Sequence, residues 1–246
     1  MFGTPPGEPS NRLVLLEFSG VGPEQRFDAA FPADAYPQVL KLDPLAAFLS
    51  RARDIPERIA LLADHIHSSG VPTVRLCASC SAVALLSPLA RSLTQRGVRV
   101  SGILAIDPFQ VTDTHALSAL RRIATNLSIK DQEPAEPFTR ASVQALIAQW
   151  IDRFLERSGL EAAAQDVFRE DLMAKYVNWL DYLLWASTEA RPARDLPVRI
   201  LTTAPIGDPE VIFGKGPEVI ETRYESADVP ALLHPVVIED LRQLVS

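Results

Sequence analysis

Cys80 stands in the stretch Ala78-Ser79-Cys80-Ser81-Ala82, between an apolar run and a helical pattern. Thr73 to Ala78 reads as a buried strand, and Ser81 to Arg96 as a helix that Gly97 ends. A cysteine at such a junction sits at the mouth of a helix, where the positive end of the helix dipole lowers a thiol pKa and favours the nucleophilic thiolate. The competing reading is a buried structural cysteine, the commoner fate of a free thiol. Cys77, three residues earlier, still lies inside the strand and is expected in the sheet core. The pair could form a redox couple of the thioredoxin type, but that arrangement opens a helix with its first cysteine, and Cys77 does not. A zinc site needs a second pair of ligands, and these are the only two cysteines. With no disulfide framework to build, a reducing cytoplasm is the expected compartment.

Acids and histidines that could serve such a thiol stand elsewhere in the chain. Asp107 ends the strand-like run Val98 to Ile106, and Asp208 follows the run Val198 to Thr203. Either could equally be a turn or cap residue. The chain has four histidines. His65 and His67 lie on a helical pattern before the nucleophile strand and are expected to face solvent, and His115 lies in a later helical block. His234 precedes the closing helix.

The elements around these residues define a class. Arg12 to Phe18 is a short apolar strand followed by a glycine turn, Ser19-Gly20-Val21-Gly22, and Gln38 to Leu42 is a weaker second strand. Ile55 to His67 repeats apolar residues at helical spacing, with Asp54 as N-cap. Pro88 is expected to kink the helix after Cys80. Strand, tight turn, helix, strand makes a βαβ unit, so the sheet is mostly parallel. From about 109 to 191 the pattern is helical only, strongest at Ser142 to Leu155, Glu161 to Phe168 and Leu172 to Trp185, and this block carries all three tryptophans. Strands resume at Val198 to Thr203 and Glu218 to Tyr224, and Pro235 to Val245 closes as a helix.

The 246 residues, 47% of them hydrophobic, suffice for one α/β domain. A net charge of −7 without a basic, aromatic-laced cluster argues against nucleic acid. No apolar run is long enough for a membrane span. Met1 to Ser10, rich in Pro and Gly, lacks the layout of a signal peptide and is expected to be a short tail.

Val74 to Pro108 resembles the core of the thioesterase domains of nonribosomal peptide and polyketide synthases. These read as an apolar strand, a Gly-x-Ser-x-Gly elbow, a helix ending in Gly, and an apolar strand ending in Asp. Arg12 to Gly22 and Lys175 to Ala204 extend the resemblance. It implies a single α/β-hydrolase fold over residues 1–246, a mostly parallel sheet flanked by helices, with a helical lid inserted at about 109–191. Cys80 takes the place of the family's nucleophilic serine, and alanine replaces both flanking glycines. Ser79 and Ser81 are poor alternatives, because an elbow points only its central residue outward. The backbone N–H of Ser81, with Ser19 or Gly20, would form the oxyanion hole. Asp107 matches the triad acid of synthase-embedded thioesterases and is preferred to Asp208, which matches many free-standing hydrolases.

The base departs from the pattern. The family histidine follows the last strand, where this chain has Ser226-Ala227-Asp228-Val229, so Asp228 stands nearest that position and His234 six residues later. The resemblance implies acyl transfer through an acyl-Cys intermediate, ending in transfer, cyclisation or hydrolysis. The substrate would be a thioester on the phosphopantetheine of an acyl- or peptidyl-carrier protein, with no cofactor of the enzyme's own. The acceptor would be a small molecule or water. The missing loop histidine leaves open a catalytically impaired hydrolase-fold protein acting as a binding or scaffold partner. An ordinary esterase of small metabolites fits less well with serine replaced by cysteine.

Overall fold

The computed structural model describes residues 12–18, 27–32, 36–46, 52–129, 139–188, 196–203, 212–213, 218–224 and 231–244. The expected tail at Met1 to Ser10 lies outside them. The chain divides into two compact units, one formed by Met1–Gln110 with Ala190–Ser246 and the other by Val111–Glu189. The helical block expected at about 109–191 is therefore a unit with its own interior.

The first unit is built on six strands: β1 (Arg12–Leu16), β2 (Val39–Leu42), β3 (Thr73–Ser79), β4 (Arg99–Ile106), β5 (Val198–Thr202) and β6 (Val219–Arg223). They form one sheet in the order β2-β1-β3-β4-β5-β6. Every pairing is parallel. Both faces of such a sheet must be covered, which is why β1, β3 and β4 read as nearly unbroken apolar runs. Leu13, Leu15, Cys77, Leu104, Ile106 and Leu201 share one face. Val237 and Leu241 of the closing helix α6 (Pro235–Gln243) are buried in the same cluster. Toward the other face, α2 (Leu86–Gln95) packs on β3 and β4 and against α1 (Ile55–Ser68).

The punctuation between elements follows from residue chemistry. Asp54 caps α1 as expected, its Oδ1 accepting the Glu57 N–H at 2.8 Å. Gly97 takes φ +79° just past α2, a conformation that costs other residues energy, and lets Val98 N–H return to the Leu93 carbonyl at 3.1 Å. Pro88 does not kink a long helix. The chain after β3 makes a 3-10 helix, Cys80–Leu85, and α2 begins at Leu86. Pro88 therefore falls in the first turn of α2, where its missing N–H has no partner to lose.

The second unit holds α3 (Asp113–Asn126), α4 (Arg140–Ser158) and α5 (Ala162–Thr188). Both α3 and α4 pack along α5. Trp150, Trp179 and Trp185 are all buried, and Trp179 stacks on Tyr182 with ring centroids 5.7 Å apart. The patterns at Glu161 to Phe168 and Leu172 to Trp185 belong to one continuous helix, α5. The charged stretch Arg169-Glu170-Asp171 that separated them in the sequence is an exposed turn of that helix, and Arg169 pairs there with Asp152 at 2.7 Å. Among the described residues no helix is long and apolar enough to cross a membrane.

Candidate active site

Cys80 begins the 3-10 helix at the end of β3, with φ +51°. Positive φ in a residue with a Cβ costs on the order of 1–2 kcal/mol, and residues held there cluster at functional sites. The small neighbours make the turn possible, since Ala78 and Ala82 are buried to 0% and 1% exposure and leave no room for larger side chains. Asp107 occupies the equivalent place on the neighbouring strand, just past β4, with φ +42°. Ser79 and Ile106 are paired partners in the ladder, so Cys80 and Asp107 leave the sheet side by side.

The carboxylate of Asp107 is held from two directions. Oδ1 accepts the backbone N–H of Thr203, just past β5, and Oδ2 accepts that of Ala231, both at 3.0 Å. Ala231 opens a 3-10 turn, Ala231–Leu233, that leads directly to His234 at the N-cap of α6. Asp107 thus ties three chain segments together at the carboxyl edge of the sheet. Neither Thr203 nor Ala231 could be found from sequence, because a backbone donor leaves no signature in residue type.

Burial pushes the Cys80 thiol up to about 11, and the nearby Asp107 charge adds to the effect. The expected thiolate stabilised by a helix mouth is corrected here. Withdrawal from water, with an anion alongside, outweighs the pull of the helix mouth. The Cys77 thiol, fully buried in the sheet core, is pushed up further by the same desolvation. A redox pair is excluded by geometry: three residues of extended strand separate the two cysteines by roughly 10 Å, beyond the ~7 Å limit for a disulfide.

The four histidines separate cleanly. His65 and His67 are exposed on α1, as expected. His115 serves a capping box, its Nδ1 accepting the Thr112 N–H at 3.1 Å. His234 has a buried Nδ1 with no hydrogen-bond partner among the described residues, and its ring lies 5.5 Å from that of Tyr224. The Tyr224 hydroxyl donates to Asp240 Oδ2 at 2.5 Å, and Arg199 reaches the same oxygen at 3.2 Å. Burial, then this bond, push the tyrosine's pKa upward. This Arg199–Asp240–Tyr224 group, which fixes α6 against β5 and the end of β6, had no recognisable sequence motif. The structure brings Cys80, Asp107 and the turn before His234 to one edge of the sheet, and it forms no bond between His234 Nδ1 and Asp107. Ser81 is buried directly after Cys80. Ser19, Gly20, Asp208 and Asp228 lie outside the described residues.

A parallel sheet with a strained residue at the crossover after its third strand and an inserted helical unit is the α/β-hydrolase fold. No family model and no curated protein matches the chain. Among solved structures, it is similar to the Vlm2 thioesterase domain with genetically encoded 2,3-diaminopropionic acid bound with a dodecadepsipeptide. The two share 16% identity over 98% of this chain and 95% of that one, with a TM-score of 0.55. It is also similar to the RedJ thioesterase of the prodiginine pathway in Streptomyces coelicolor, at 15% identity, 99% and 94% coverage and a TM-score of 0.50. A third match is holo-AB3403, a four-domain nonribosomal peptide synthetase bound to AMP and glycine. There the identity is 13% and the TM-score 0.56, over 96% of this chain and 19% of that one.

Proposed function

We propose that this chain is a thioesterase-like acyl-transfer enzyme that works through an acyl-Cys80 intermediate on carrier-protein-bound thioesters of nonribosomal peptide or polyketide biosynthesis. The observation that carries the proposal is Cys80 itself, held at φ +51° where β3 turns into a helix, with Asp107 beside it. Such a turn costs stability, and acyl transfer gives it a use.

In the first step the Cys80 sulfur attacks the thioester carbonyl. The thiol proton passes to a base and then to the departing phosphopantetheine sulfur. Because the thiol titrates near 11, it is protonated at neutral pH, and attack needs that base in place. His234 is the base we assign first and Asp228 second. The carbonyl oxygen would receive the Ser81 N–H and one from Ser19 or Gly20. The acyl group then moves to a small-molecule acceptor or to water. An acyl thioester retains the energy that transfer to an amine or thiol consumes. We assign the helical unit Val111–Glu189 the part of an acyl-selecting lid.

One observation favours a second reading, a hydrolase-fold binding or scaffold protein without turnover. It is the pairing of a raised thiol with a histidine whose Nδ1 lacks the usual carboxylate. Intact-mass spectrometry after incubation with an acyl-N-acetylcysteamine thioester separates the two. Acyl transfer predicts a mass gain that maps to Cys80 and disappears in Cys80→Ala. No gain, with the carrier protein still bound, supports the scaffold.

A further inference from the structure

The face of the sheet that packs against α6 changes character at its other edge. Arg75 of β3 is paired in register with Gly102 of β4, and Leu104 with Arg199 of β5. Gly102 has no side chain, so a gap opens between the two arginines. It forms a cavity of about 100 Å³ walled mainly by apolar atoms, including those of Pro197, Ile220 and Leu244. Its two guanidiniums are not equivalent. Arg199 is paired with Asp240 at 3.2 Å. Arg75, half-buried in the middle of the central strand, has no hydrogen-bond or ion-pair partner among the described residues, and Arg199 repels it. Among the described residues, the gap therefore sets a partly desolvated cation beside apolar walls with no anion against it. Arg75 precedes Cys80 by five residues of extended chain, roughly 17 Å, so this gap is separate from the thiol.

We propose that the gap between Arg75 and Arg199 binds a small monocarboxylate with a short apolar chain. The carboxylate pairs with the Arg75 guanidinium, and the chain fills the space that Gly102 leaves. A cavity of ~150 Å³ holds a benzene ring, so this one takes a tail of about four carbons. A bulky or doubly charged anion does not fit apolar walls that, among the described residues, supply one unpaired cation.

Calorimetric titration of the full chain with pentanoate, pentanamide and inorganic phosphate tests the proposal. Pentanoate should bind at one saturable site, with pentanamide and phosphate at least tenfold weaker. Arg75→Gln should lose tenfold or more in pentanoate affinity. Asp240→Asn, which frees the second guanidinium, should tighten it. Gly102→Ala adds a methyl 3.4 Å from the Pro197 carbonyl, an ordinary contact, and should weaken binding by narrowing the gap. This variant keeps the test decisive should Arg75→Gln fail to fold. Alkylation of Cys80 should leave the affinity unchanged. The proposal is overturned if wild-type protein gives no saturable binding, if phosphate binds as well as pentanoate, if neither Arg75→Gln nor Gly102→Ala weakens it, or if alkylated Cys80 abolishes it.

Discussion

At Cys80 two effects oppose each other, exposure of a strained elbow and desolvation of its thiol, and the second sets the chemistry at neutral pH. Iodoacetamide labelling of Cys80 should rise about tenfold per pH unit and level off only near 11, while Cys77 stays unlabelled; peptide mapping across pH 7 to 11.5 measures both. A levelling near 8 would show a thiolate that the burial does not permit. Because the folded thiol holds its proton more tightly than the unfolded one, stability falls as pH rises from about 9 toward 11, and Cys80→Ala should lessen that fall. The backbone makes a second expectation. Cys80→Gly should be more stable than Cys80→Ala by about 1 kcal/mol in chemical melts, because glycine accepts positive φ without strain. The type and spacing of residues around Cys80 were readable in the sequence, small flanks and all. The thiol's pKa was not, since it depends on Asp107 and on burial, which only the folded sheet creates.

Among the elements, the turn Ala231–Leu233 and helix α6 rest on a contact the sequence conceals. Asp107 Oδ2 accepts a hydrogen bond from the backbone N–H of a residue 124 positions later, and its partner oxygen accepts that of Thr203. Asp107→Asn would turn an amide N–H₂ toward one of these backbone donors. It should therefore destabilise by about 1–3 kcal/mol, besides any effect on turnover; parallel chemical melts and single-turnover acylation assays report the two separately. The triad position that the resemblance gives Asp107 is that of an acid orienting the base. The structure adds a fastening role, so a loss of activity in that variant needs a stability control. Strand and helix periods were legible because both faces of the sheet are covered and α1 carries one apolar stripe. The continuity of α5 was not, because its middle turn is stabilised by charge pairs on an exposed surface and carries no apolar period. Leu241→Ala in α6 should cost about 2–5 kcal/mol, its side chain being fully buried against the sheet.

For the molecule as a whole, order should grade with burial. Native-state hydrogen exchange should find its slowest amides in β1, β3 and β4. The first half of α5 should exchange faster than its second half, since no residue of α5 before Tyr176 is buried. Equal protection along α5 would refute this. The division into two units was expected as an insertion within one fold, and its place in the chain follows from where the strand pattern stops and resumes.

That insertion also bears on time. The ladder between β4 and β5 joins strands that the whole of Val111–Glu189 separates in sequence. Zipping it requires closing a long loop, and closure slows as the slack between its ends grows. If the helices condense first, they take up that slack, and the last two strands find the sheet sooner. Trp150→Ala, which hollows the helical unit, should therefore slow the refolding of strands it does not belong to, and stopped-flow refolding of wild type and variant would time the difference.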